Sequence, residues 1–302
     1  MLGALPARLS ETGLPSSELP GGPGARVRPF APMFALWSDG ADKRRWVRLP
    51  EGGRIDTSDM NDWSFPVGTT FYKEFSLAGR RLETRVLKRL EGGEWAGAAY
   101  VWDADERDAW LTPDGVRGVA GTTHDVPSAA ECVGCHAGRR SHVLGFSAVQ
   151  LSGPGLPLGI DELARDGWLT HRPEHALQLP GDESERAALG YLHANCGHCH
   201  NRQRPPRRDG PRCYDPERGL DFWLPVDATL DAAEMPAVTS SVPRFVTPGD
   251  PDDSRLITLV SRRGFPLHMP PLGTSQVDEQ GVQLLRQWVA ALRWPASSGL
   301  TP

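Results

Sequence analysis

Four stretches in the first third of the chain alternate apolar and polar side chains with a period of two. They are residues 45–49 (RWVRL), 69–75 (TTFYKEF), 82–90 (LETRVLKRL) and 95–102 (WAGAAYVW). That period turns one face of a strand toward a core and the other toward solvent. Glu91-Gly92-Gly93-Glu94, between the last two, is a hairpin-turn signal. Together they predict an antiparallel sheet of about five strands. Further on the period lengthens. Over residues 182–201, Asp182 suits an N-cap, Glu183 and Glu185 suit the first turn, and Leu189, Leu192 and Cys196 share a face. Over 278–292, Val282, Leu285, Val289 and Leu292 recur at helical spacing with Trp288 beside them, and Arg293-Trp294-Pro295 stops the run. The turn signal Thr247-Pro248-Gly249-Asp250-Pro251 leads into a shorter helix over 252–260. Residues 1–29 are rich in Pro, Gly and Ser and are expected to form an extended arm. The division that follows is an arm (1–29), a β-rich domain (30–150), a linker (151–181) and a helical domain (182–302).

A length of 302 residues suits about two domains at roughly 150 residues each. With 39% hydrophobic residues a packed core is available, while 33 Gly and 28 Pro point to many turns and long connections. The net charge of −5 gives no reason to expect nucleic acid as a partner. No run of eighteen apolar residues is present to span a membrane. The opening Met1-Leu2-Gly3-Ala4-Leu5-Pro6 lacks a basic region and a full apolar stretch, so it is not an intact signal peptide.

The chemistry lies in the cysteines. Four of the five fall into Cys132-Val133-Gly134-Cys135-His136 and Cys196-Gly197-His198-Cys199-His200, and Cys213 stands apart as a bystander. Both motifs fit the attachment pattern of haem c. Two thiols form thioethers with the porphyrin vinyl groups, and the following His binds iron from the proximal side. Paired Cys-x-x-Cys also builds zinc sites, but these two pairs are too far apart for a compact ribbon, and zinc needs no His after each pair. A thioredoxin-like pair would open a helix in a βαβ unit, which neither motif does. Two covalent haem c groups are therefore expected, with Cys132, Cys135, His136, Cys196, Cys199 and His200 holding them. Haem c is attached outside the cytoplasm in bacteria. The motifs thus imply a periplasmic or extracellular protein whose leader has been removed.

Met269, in the loop FPLHMPPLG just before the last predicted helix, is a suitable second iron ligand for the haem at His200. Thioether is a soft ligand, and Met/His coordination raises a haem's potential. His268 ranks second there. No Met lies between 136 and 200. The haem at His136 therefore has an open iron or takes His142, His171, His175 or His124.

At residues 182–292 the order of motif, Met-Pro loop and closing helix with an aromatic resembles class I cytochrome c. The resemblance implies an all-α domain, with His200 proximal, Met269 distal, and Tyr191 or Gly190 packing near Trp288. Residues 202–213 read as an insertion. Residues 60–145, with Phe65-Pro66-Val67-Gly68-Thr69, Lys73-Glu74, Val86-Leu87-Lys88-Arg89 and Gly93-Glu94-Trp95 ahead of the first motif, are similar to the β-sheet cytochromes. These are the cytochrome c′-beta proteins and the hydroxylamine-oxidising type with a lysine-to-haem cross-link. That likeness implies a five-coordinate first haem, with Lys73 and Lys88 in strands that match the cross-linking one. The whole order, from Leu36-Trp37-Ser38-Asp39-Gly40 through Val143-Leu144-Gly145-Phe146 to Asn195-Cys196 and the Met-Pro-Pro loop, resembles a family of bacterial extracytoplasmic dihaem cytochromes. The expected fold is α+β: an N-terminal antiparallel β-sheet haem domain followed by an all-α class I cytochrome c domain. The expected function is electron transfer to a redox partner protein. The alternative is an oxidoreductase or gas-binding protein acting on small nitrogen oxides, hydroxylamine or peroxide at the first haem. No catalytic residue is singled out by the sequence.

Overall fold

The structure is a computed structural model describing residues 5–14, 27–173, 175, 177–204, 219–226, 231–264 and 267–294. The chain forms two compact units. One comprises Met1–Met33 with Gly40–Leu177, the other Phe34–Asp39 with Gln178–Pro302.

The first unit is built on six antiparallel strands in sequential order: β1 (Val27–Pro29), β2 (Asp42–Arg48), β3 (Thr70–Leu77), β4 (Arg80–Arg89), β5 (Trp95–Trp102) and β6 (Ala109–Leu111). The four long strands coincide with the alternating stretches. The two three-residue edge strands are too short to show a period. Pro29 is tolerated at the edge because it owes no ladder hydrogen bond on its open side.

One sheet face buries Tyr72, Val86, Ala98 and Tyr100 beneath Leu5 and Leu9. Within the stretch expected to be extended, Leu9–Thr12 makes a 3-10 turn. The Tyr100 hydroxyl donates to the Pro6 carbonyl and the Tyr72 hydroxyl to the Thr12 carbonyl, each at 2.9 Å. The opposite face holds an edge-to-face aromatic cluster: Phe71 with Phe65 (5.2 Å) and Phe146 (5.3 Å), and Phe146 with Phe30 (4.9 Å). Such contacts add to area burial, and Phe146 ties the chain after the first motif to the sheet. Two short helices follow the sheet, α1 (Ala129–His136) and α2 (Ile160–Arg165). Residues 151–177 are part of this unit. Leu158, Leu163 and Leu169 are buried, and Ile55 pairs with Leu169.

The second unit corrects an expectation. It contains α3 (Glu183–Asn195), α4 (Pro236–Thr239), α5 (Arg255–Val260) and α6 (Glu279–Ala291). An all-α class I cytochrome c domain is not what forms. Between the two 13-residue helices, among the described residues, lie only α-helices of four and six residues and the three-residue 3-10 turn Ala232–Glu234, joined by turns and irregular chain. The physical reason is local. Pro225, Pro236, Pro243, Pro248 and Pro251 and the glycines between the motif and α6 interrupt any longer helix. Both long helices start at a side-chain cap, the first at the residue the sequence indicated. Asp182 accepts from Glu185 N and Asp278 from Gly281 N, both at 2.9 Å. Leu189, Leu192, Leu285, Trp288 and Val289 are buried in this unit. Tyr191 lies directly over Gly281, and the Phe34 ring sits against Gly190, so a side chain at either glycine would collide.

Candidate functional site

The first motif lies wholly on α1. Ser128 caps it, accepting from Glu131 N at 3.2 Å, while the Glu131 carboxylate accepts from Ser128 N at 2.8 Å. On a helix, positions i, i+3 and i+4 share a face, so Cys132, Cys135 and His136 point the same way. The spacer Val133 is turned outward at 55% exposure. His136 Nδ1 lies 2.7 Å from the His142 carbonyl. A carbonyl only accepts, so Nδ1 carries the proton and Nε2 is the nitrogen with a lone pair for a metal. Metal-bound histidines are oriented this way, by a hydrogen bond from the second ring nitrogen. His142 presents this carbonyl from a left-handed backbone conformation, φ 57°. The donor set fits a haem c.

The sheet beside this helix is strongly charged. Arg45, Lys73 and Arg85 stand directly opposite one another on β2, β3 and β4. Two positions along the same face lie Lys43, Phe75 and Glu83. Glu83 is fully buried; it binds Arg85 at 2.5 Å and accepts from His124 Nε2 at 2.7 Å. Burial alone would raise the Glu83 carboxyl, but the Arg85 charge and the His124 hydrogen bond hold it below the usual range. Burial pushes the Cys132 thiol up, and Arg85 opposes that rise. The guanidinium is thus within electrostatic reach of the motif. Arg85 and Lys73 also lie over the Phe75 ring, at 4.2 and 4.7 Å. Sequence reading missed Arg45, Glu83 and Arg85. Their only signal was charge at inward positions of alternating strands, and that signal needs the strand register to be read.

The second motif begins where α3 stops. A helix through residue 201 was expected; the structure ends it at Asn195, with Cys196 as the C-cap. Cys199 N and His200 N both donate to the Cys196 carbonyl, at 3.0 and 2.8 Å, so one further turn still gathers the two thiols and His200. Gly197 is required there, because a Cβ would meet the His193 and Phe222 carbonyl oxygens at 2.7 and 2.9 Å. Phe222 N donates to the His200 carbonyl at 2.9 Å, and the Phe222 ring meets the His200 ring edge-on at 5.8 Å. Asn201 Nδ2 donates to the Gly197 carbonyl at 2.8 Å. Burial pushes the Cys196 thiol up to about 12. His198 Nδ1 is buried without a hydrogen-bond partner, an orphaned polar atom that fits a polar ligand group at this motif.

Met269 sits on the loop between α5 and α6. Its N donates to the Leu259 carbonyl at 2.9 Å and its carbonyl accepts from Arg263 at 3.1 Å. Met269 and His268 are both half-buried. Of the other histidines, His124 is held by Glu83, and His171 is exposed with Nδ1 at 3.0 Å from the Thr170 hydroxyl. His175 is also exposed, and the half-buried His142 lends its backbone carbonyl to His136 Nδ1. Lys73 lies on the charged face, and Lys88, on β4 opposite Thr70, projects from the other. Cys213 lies outside the described residues; Cys132 and Cys135 of the first motif are free thiols. Among the described residues no three His, Cys, Asp or Glu side chains converge into a metal group, and a haem iron takes at most two protein ligands. Among them also, no helix is long and apolar enough to cross a membrane. Comparison with protein-family models, curated proteins and solved structures returned no match to this chain.

Proposed function

We propose that this chain is an extracytoplasmic c-type cytochrome that binds two haem c groups covalently and passes electrons to a redox partner protein. The observation that carries the reading is the His136 ring, whose Nδ1 is engaged by the His142 carbonyl at 2.7 Å on the helix face shared with two free thiols. Bound haem iron would supply the one-electron chemistry. Cys132 and Cys135 anchor the first haem, and His136 presents Nε2 to it. Cys196 and Cys199 anchor the second, and His200 presents its ring from a turn backed by Phe222. Met269 is the second iron ligand in that unit.

The test is haem stoichiometry of the full chain made with export and c-type maturation. The pyridine haemochrome assay is expected to give two haems per chain, and one when Cys132 and Cys135, or Cys196 and Cys199, are replaced by Ser. Met269→Ala is expected to remove the Met-linked absorption of the oxidised protein. A chain without haem sinks the reading, and an unchanged spectrum in the Met269 variant sinks the ligand assignment alone.

A second reading concerns the first haem, and the hold of the buried Glu83 on the His124 ring favours it. An iron there lacking a second protein ligand would be open to small nitrogen oxides, hydroxylamine or peroxide.

A further inference from the structure

Three cations side by side across a sheet are unusual, because like charges directly opposite each other destabilise strand pairing. Arg45, Lys73 and Arg85 are such a row, and all three are half-buried. One carboxylate, Glu83, compensates them on this face, and it is already shared between Arg85 and His124. Among the described residues no carboxylate lies within ion-pair distance of Arg45 or Lys73. Burial, then the charges of Arg45 and Arg85, holds Lys73 well below the ordinary lysine range. Burial also lowers Arg45 to about 10. The arrangement is costly as it stands, and an anion would relieve both the repulsion and the desolvation. Arg85 spends Nε and Nη2 on Glu83, at 3.0 and 2.5 Å, and keeps Nη1, so the Arg45 fork, the Lys73 ammonium and that remaining Arg85 nitrogen match a planar anion with two oxygens.

We propose that Arg45, Lys73 and Arg85 form a binding site for a planar oxyanion of the carboxylate type, on the sheet face beside the first motif. Two sources present that chemistry: the propionates of a haem anchored at Cys132 and Cys135, and a free small carboxylate. The first source rests on the dihaem reading; the site itself does not. Glu83 is the fixed counter-charge that keeps Arg85 in place, and Phe75 supports both Lys73 and Arg85 through its ring.

The experiment uses the purified full chain, with haem counted on the same sample. Acetate is titrated by calorimetry at constant ionic strength, and the midpoint potential of the first haem is followed against pH. Both are repeated in Lys73→Met, and in Arg45→Gln as a second variant that leaves the Glu83–Arg85 pair intact. If the anion is free, acetate binds saturably and each variant weakens it about ten-fold or more, the size of a lost charge-assisted hydrogen bond. If it is a propionate, acetate does not bind, but the variants move the pH dependence of the first haem's potential and leave the second's alone. The proposal is overturned if acetate fails to bind, or binds the variants as it binds the parent, and the potential is also unmoved. Absence of haem sinks the dihaem reading alone, and the acetate arm still decides the site.

Discussion

Glu83 shows what a single buried carboxylate does in the first unit. It is 0% exposed and holds two partners, Arg85 and His124. Replacing it with Gln leaves the Arg85 charge uncompensated. That is expected to cost about 3 kcal/mol, the low end for a broken buried pair because Arg85 keeps some solvent contact. The pH dependence has a definite sign. The carboxyl is held below its ordinary value when folded, so its stabilisation is complete above the unfolded pKa of about 4.3 and is lost as pH falls through the lower folded value. Urea denaturation at neutral pH and at about pH 3 should therefore show a smaller acid loss in Glu83→Gln than in the parent. An equal loss in both would mean that Glu83 does not carry the acid sensitivity. At this scale the two motifs are plain in the sequence, since their residues are contiguous. The cation row is not, because Arg45, Lys73 and Arg85 become neighbours only through the pairing of three strands.

Elements were legible in proportion to their length. β3, β4 and β5 have eight to ten residues and a clear period, whereas β1 and β6 have three and none. The start of α3 was legible from Asp182, whose side chain reaches an orphan backbone donor. The end of α3 was not, because the chain turns at Cys196 to bring Gly197 against the Phe222 carbonyl, a contact distant in sequence. The all-α domain was inferred from resemblance across a region where the residues themselves show no helical period, and there the structure departs from it. The two motif spacers consequently differ. Gly197→Ala forces a methyl against two backbone carbonyls and is expected to cost about 1–3 kcal/mol. Val133→Ala, at an outward position, should change stability by no more than about 0.5 kcal/mol. Denaturation midpoints of the two variants check this. Equal effects would remove the distinction between the spacers.

For the whole molecule, each unit carries one motif, and the two differ in their surroundings. The first sits beside a charged sheet face, with the His124 ring held by Glu83 and the His171 ring beside the Thr170 hydroxyl. The second shares its unit with Met269. Carbon monoxide added to the reduced protein is accordingly expected to bind one haem of two. Spectral titration measures this, and no uptake would leave electron relay as the role of both.

The chain leaves the first unit at Met33, contributes Phe34–Asp39 to the second, and returns at Gly40. Trp37 N donates to Asn195 Oδ1 at 2.7 Å across a separation of 158 residues. At roughly 5–20 residues per second of synthesis, that partner appears on the order of ten seconds after Trp37 does. The Phe34 ring must likewise wait for Gly190, its apolar surface exposed on a chain whose sheet is already being made. Biogenesis thus has an order: the second unit cannot be completed from its own contiguous stretch, and neither unit can be excised by one cut without dividing the other.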